Sequence, residues 1–291
     1  MLAEKSNFSV SRMARLLEVS RSGFYAWCRR EPSQRAVRQD RIEQKVAWFH
    51  GESDEVSGSP KILADLRDDG EVISGKTVAK TMRRLGLRGI CPKRWRTTTI
   101  VDHADAYPAD AAKRAWDTGM LNRIWVGDIT YLRTWEGWLY LATVIDAHSR
   151  RVIGWAIDDH MRTDLVEDAL KMAITLRGEL PDKVVFHTDR GTQYASEQIS
   201  KFAAANNITR SMGLTGICWD NAMAESFFAT LKTEFYYRRV WPTKTQAKLE
   251  VAAWIEDRYN RRRRHSSIGQ ISPVAFEMQY STQTAADQEA A

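Results

Sequence analysis

Residues 124–157 hold three successive runs rich in β-branched and aromatic residues, at 124–131, 138–147 and 151–157, parted only by short turns at 134–137 and 148–150. Connections that short cannot carry a chain back across a sheet, so the runs must pair as an antiparallel meander. Past them the period turns helical over 164–177, where Thr163 or Asp164 can cap and Val166, Leu170 and Ala173 share a face. A nearly all-apolar run at 184–188 reads as a strand buried on both sides. A helix at 196–206, a brief strand at 209–212 and a long helix at 221–235 complete a mixed α/β unit.

Ahead of the strands the pattern is helical. Val10, Met13, Ala14 and Leu17 keep helical spacing, and Val19-Ser20 breaks it before a second helix. This is a helix-turn-helix pattern in which Arg21, Ser22 and Tyr25 would open a recognition helix towards DNA; it also fits a small hairpin that only packs. Residues 30–45 look like a linking helix. A second unit at 58–88 carries one stripe of Ile62, Leu63 and Leu66 and another of Val78, Met82 and Leu85, with Ser74 as N-cap and Lys76, Lys80, Arg83 and Arg84 off the stripe. The expected division is 1–45, 46–95, a linker at 96–120, a core with an Arg-rich helix at 121–280, and a disordered tail at 281–291.

Charge follows this division. Residues 1–100 hold twenty Lys and Arg against twelve Asp and Glu, while the whole chain is only +6, so the basic excess sits at the front. Lys and Arg neutralising phosphates supply the sequence-independent part of DNA binding, although a solvated surface has the same composition. No apolar run reaches the length of a membrane span, no secretory signal opens the chain, and Cys28, Cys91 and Cys218 form neither a pair nor a zinc motif. A cytoplasmic protein is expected.

Asp128 stands in Trp-Val-Gly-Asp-Ile-Thr-Tyr-Leu, Asp189 in Phe-His-Thr-Asp-Arg-Gly-Thr-Gln-Tyr, and Glu225 in Trp-Asp-Asn-Ala-Met-Ala-Glu-Ser-Phe-Phe, with 35 residues between the last two. The contexts place them within a strand, at a strand end and on a helix, where Phe228 and Lys232 would share the side of Glu225 while Phe227 and Leu231 face the core. Three carboxylates brought together repel by about 4 kcal/mol per pair at ~4 Å in an effective dielectric near ~20. A divalent cation resolves that conflict, and carboxylate oxygens suit Mg²⁺ or Mn²⁺.

These words and their interval, with the segment from Tyr259-Asn260 to Ser272-Pro273, resemble the DDE transposases encoded by the second reading frame of two-frame bacterial insertion sequences. The catalytic part is similar to the retroviral-integrase superfamily. The resemblance implies an α/β fold, an RNase H-like mixed five-stranded sheet flanked by helices and preceded by N-terminal helix-turn-helix domains. It implies a DNA transposase with Asp128, Asp189 and Glu225 as catalytic residues and as ligands of two Mg²⁺ or Mn²⁺ ions. Implied partners are double-stranded DNA, both terminal repeats and target, further copies of the chain, and the upstream-frame protein by fusion or association; nucleoid association follows. A nuclease of the same fold that never joins strands, and a non-catalytic helix-turn-helix DNA binder, are the competing readings.

Other residues carry weaker signals. Lys232, Arg261, Arg264 and His265 are candidate DNA contacts, Arg261 and Arg264 within a run of four arginines suited to phosphodiesters and His265 directly after it. His187 is either a group near the scissile phosphate or a core histidine. Asp146 is expected to organise a turn, and Asp220-Asn221 to cap the helix carrying Glu225, with an active-site role as the other reading of Asn221. Two departures from the family pattern stand out: Ser57-Gly58 replaces Tyr-Gly, and 211–218 lacks the usual basic residue near Leu214 and polar residue near Ile217.

Overall fold

The computed structural model describes residues 1–91, 119–180, 183–212 and 222–289; most of the expected linker, the Asp220-Asn221 cap and the loop through Cys218 lie outside the described residues. The front consists of α1 (Val10–Leu16), α2 (Arg21–Arg29), α3 (Gln34–Glu52), α4 (Ser59–Asp68) and α5 (Gly75–Arg84). Ser9, Ser20, Ser33 and Ser74 each accept a hydrogen bond from the N–H three residues on, closing the N-termini of α1, α2, α3 and α5. Ile42 and Val46 of α3 bury against Ile62 and Leu66 of α4 and Val78 and Met82 of α5. The helix expected merely to link at 30–45 therefore runs on to Glu52 and shares the core of the second unit.

Strands β1 (Ile124–Thr134), β2 (Gly137–Asp146), β3 (Val152–Asp158), β4 (Val184–Thr188) and β5 (Ile208–Met212) form one sheet in the order β3-β2-β1-β4-β5. The meander pairs antiparallel, whereas β4 joins β1 and β5 joins β4 in parallel, through crossover helices. On one face α6 (Thr163–Arg177), α7 (Thr192–Ala195) and α8 (Glu197–Ala205) enclose a core with Trp125, Ile153, Leu170 and Phe186. On the other, α9 (Ala222–Glu234) and α10 (Lys244–Ala253) bury Phe227, Leu231 and Val251 against Leu132 and Leu141. This is the RNase H-like arrangement that the resemblance implied.

Some local expectations differ. Arg162, rather than Thr163 or Asp164, precedes α6 as cap residue and gives no side-chain bond; Asp164 accepts from the Leu165 N–H instead. Phe228 is buried beside Phe227 rather than open with Glu225, because α9 is covered on more than one side. After a π-helical segment at Trp254–Arg262, α11 (Pro273–Glu289) extends through 281–289, where a disordered tail was expected, since that stretch holds neither Gly nor Pro to stop a helix.

Gly154 in β3 is where α6 lies closest to the sheet. A Cβ there would overlap the Ala169 carbonyl oxygen and stand 2.8 Å from the Ala173 nitrogen, both backbone atoms that cannot swing aside. Gly154→Ala is expected to cost about 1–3 kcal/mol by overpacking, a fall of roughly 2–10 °C in Tm for a domain of this size. Thermal unfolding followed by circular dichroism checks it, and an unchanged Tm would refute the close approach.

Candidate active site

The parallel register sets the site. Ile124, Trp125 and Val126 lie opposite Val185, Phe186 and His187, and continuing that register by two residues brings Asp189, just past β4, level with Asp128. Gly127 permits the approach, because a Cβ there would strike the Phe186 ring. Among the described residues β1 has no partner on the β4 side beyond Val126, so Asp128 borders an open edge. Ala224 of α9 packs on Ile124 and Val126, which carries the adjacent Glu225 to the same edge, on the positive first turn of its helix.

Burial is the largest influence on each acid. It raises the Asp128 carboxyl to about 8, with the charges of Asp189 and Glu225 pushing the same way; the Ile129 N–H, 2.8 Å from Oδ1, and the Lys232 ammonium oppose it. Asp189 is also raised, against a hydrogen bond from the Gly191 N–H at 3.0 Å, and so is Glu225. Burial lowers the half-buried Lys232 while Asp128 holds it up. Hard oxygen donors short of positive charge are the donor set that a divalent cation completes.

Among the described residues, the three ligand groups whose atoms all fall within 4.8 Å of one another are Asp158, Asp159 and His160, not the triad. That trio is partly exposed at the far end of β3 and already faces Lys248 at 3.2 Å and Lys244 at 3.3 Å. Wider spacing suits acids that share two ions about 3.5–4 Å apart.

Tyr194 is a site residue the sequence reading missed. It is 3% exposed, its hydroxyl has no hydrogen-bond partner among the described residues, and the charges of Asp128 and Asp189 add to the burial that drives it well above the usual phenol range. A tyrosine in a single-turn helix has no periodic signature. Its place five residues after Asp189 was the available signal.

His187 is fully buried, its Nδ1 2.9 Å from Ser211 Oγ across the β4–β5 register, which makes it a core histidine. Asp146 organises its turn as expected, accepting from the N–H groups of Asn122, His148 and Ser149 at 2.8–3.1 Å.

Among the candidate DNA contacts, Arg21, Ser22 and Tyr25 line an exposed groove between α1 and α2, and Lys76 and Lys80 line another between α3 and α5; Arg83 and Arg261 are exposed. Lys232 turns into the acid site. Arg264 and His265 are engaged within the protein. The Arg264 guanidinium donates to Asp65 and Asp68 of α4, each at 2.5 Å, and to the Gln270 carbonyl at 2.7 Å. Burial first, then the charges of Arg263, Lys61 and Arg150, push His265 down to about 2, so it is a neutral ring packed on Tyr259 at 4.8 Å. The sequence shows four arginines but not the acids that meet Arg262, Arg263 and Arg264.

Known families match along the chain in the same order. An HTH-like domain covers residues 38–95, and two models of an integrase core domain cover 120–218 and 206–273. "Transposase InsF for insertion sequence IS3A" of Escherichia coli (strain K12) is 38% identical over 94% of this chain and 95% of its own length. "Putative transposase for insertion sequence element IS986/IS6110" of Mycobacterium tuberculosis is 36% identical over 92% of this chain and 98% of its own. Among solved structures, the HTLV-2 integrase catalytic core domain in complex with magnesium covers 53% of this chain at TM-score 0.42 and 17% identity.

Proposed function

The chain belongs to the insertion-sequence transposases with an integrase core domain, and from that premise we propose that it cuts element ends and joins them to new DNA through Asp128, Asp189 and Glu225. The observation that carries this reading is the edge to which β1, the end of β4 and the first turn of α9 bring Asp128, Asp189 and Glu225, with Lys232 as the cation beside Asp128.

The reaction is a pair of in-line displacements. A water oxygen first attacks the phosphorus at the element end, and the P–O bond to the 3′ oxygen breaks, leaving a 3′-hydroxyl. That hydroxyl then attacks a target phosphorus, and the target 3′ oxygen leaves with a proton. Asp128, Asp189 and Glu225 would hold two Mg²⁺ or Mn²⁺ ions, which when bound lower the pKa of the attacking oxygen and neutralise the leaving one. Lys232 borders Asp128 and meets the extra negative charge of the phosphate. Tyr194 offers an unused hydroxyl behind Asp128 and Asp189, a donor that fixes a carboxylate once it is ionised. The basic grooves of α1–α2 and α3–α5 bind the terminal repeats. The same reading extends to several copies assembled on paired ends, and to fusion or association with the upstream-frame protein.

The test is a joining assay with a labelled 3′-hydroxyl donor carrying the repeats that flank the gene. Joined strands support transposition. Shortened strands alone would identify a nuclease, and no cleavage a DNA binder.

Metal and pH should be coupled. The unfolded chain releases the Asp128 proton near 3.8, whereas the fold keeps it to about 8. Between those values the folded state binds more protons, so this group's contribution makes stability fall as pH rises. An ion that needs the ionised form opposes that loss. The Tm increase given by Mg²⁺ is expected to be small near about pH 5 and to grow through about pH 8. Differential scanning fluorimetry measures it, and an increase independent of pH would contradict the assignment.

A further inference from the structure

Beside the acids, the β1–β2 hairpin carries aromatic rings that the fold does not bury. Tyr131 is 59% exposed, Trp138 42% and Trp135, at the turn, 76%. Tyr131 and Trp138 meet edge to face with centroids 5.2 Å apart. Each ring also carries a cation: Lys232 Nζ lies 4.8 Å from the Tyr131 centroid and Arg133 Cζ 5.3 Å from that of Trp138. One step back along the same face, Ile129 and Tyr140 pack against the core under α6, so Tyr131 and Trp138 begin where that cover ends.

Strand alternation puts Asp128 and Tyr131 on opposite faces of β1, yet Lys232 reaches both, so both border the open edge. They are three residues apart, about 10 Å at ~3.3 Å per strand residue. A DNA strand covers that distance in about three nucleotides at ~3.4 Å each.

We infer that this strip is a stacking platform for unpaired bases of the strand whose phosphate lies at Asp128, with the base about three nucleotides away resting on Tyr131. The inference rests on the proposed transposase reading and extends it: the DNA end is opened, not bound as intact duplex. Inside a duplex both faces of a base are covered, so an exposed ring about three nucleotides from the reacting phosphate can lie face to face only with a base that has left the helical stack, and every base has such a face. The cations fit the same occupant. A stacked strand brings one phosphate per base to Lys232 and Arg133, whereas an apolar protein surface would bury both charges without partners.

The experiment uses the full chain without divalent ion and two duplexes of one sequence, one fully paired and one with its three terminal pairs mismatched, carrying 2-aminopurine at the third nucleotide. The chain is expected to bind the mismatched duplex about tenfold more tightly by anisotropy and to quench the 2-aminopurine. Tyr131→Leu and Trp138→Leu should each remove most of the preference and the quenching, while Tyr131→Phe, which keeps the ring, retains both. Equal affinity for the two duplexes, or quenching that survives Tyr131→Leu, would overturn the platform. So would a shift of the Leu variants from dimer to monomer in sedimentation without change in DNA preference, since the strip would then join two copies. The preference is read without chemistry, so a wild-type chain that shows it but never joins strands would count against the transposase mechanism and not against the platform.

Discussion

Asp128→Asn is expected to lower the rate of Mg²⁺-dependent cleavage and joining by at least about 10³-fold, roughly 4 kcal/mol of transition-state stabilisation at ~1.4 kcal/mol per tenfold. The substitution keeps size and shape, and Asn can still accept the Ile129 N–H at Oδ1, so the strand need not move. What goes is the negative charge that balances an ion. The loss cannot be put down to unfolding, because stability should move the other way. The metal-free fold holds a proton on this carboxyl to about 8 because burial and Asp189 disfavour its charge. A neutral amide removes that conflict, so above about pH 8 the metal-free variant should melt no lower than wild type. DNA binding should persist, since the proposed contacts for the terminal repeats lie in the basic grooves. Asp189→Asn and Glu225→Gln should follow the same pattern. Joining at near wild-type rate by all three would end the triad assignment, whereas inactivity with a lowered Tm would mean that the variants had only damaged the fold.

The largest effect on stability is expected at the other end of α9. Glu234 is 3% exposed and accepts from Arg263 Nε at 2.8 Å and from its terminal nitrogen at 2.7 Å, with Lys61 of α4 at 3.4 Å. Its carboxyl is held low by those partners against the opposing effect of burial. Glu234→Ala leaves a buried guanidinium facing the already disfavoured Lys61 ammonium. Breaking a buried pair from one side costs about 3–5 kcal/mol, here a Tm loss of roughly 10 °C. Adding Arg263→Met should recover much of it, because the uncompensated charge goes too. A double variant as unstable as the sum of the single ones would show that the pair is not coupled.

These two sites also differ in how far the sequence revealed them. The proposed acid triad stood out in the sequence because its members sit in words that resemble a known family, with a fixed interval between two of them, and the sheet followed from three runs too closely spaced to do anything but meander. Apolar stripes at helical spacing, with Ser74 as the one cap read ahead of them, gave the front helices. What one sequence cannot display is the partner of a charge. An arginine run reads alike whether it meets phosphates or, as with Arg263 and Arg264, the acids Glu234, Asp65 and Asp68 from distant parts of the chain. Tyr194 was hidden for a related reason: a short helix has no period to show which side is inward. The open edge beside Asp128 was equally invisible, since it depends on β4 ending before β1 does.

Arg264 spans the gap between the α4 unit and the integrase core, and its two hydrogen bonds to Asp65 and Asp68 tie them at one setting. On the proposed transposase reading, with the Lys76 and Lys80 groove on DNA, the molecule would act as a ruler: the distance and helical phase from the sequence gripped to the bond cut would be built into the protein. DNA turns once in about ten base pairs, so five extra pairs between grip and cut would present the opposite side of the helix to Asp128. The length of an element's terminal repeat would on this view be dictated by protein geometry as much as by base recognition.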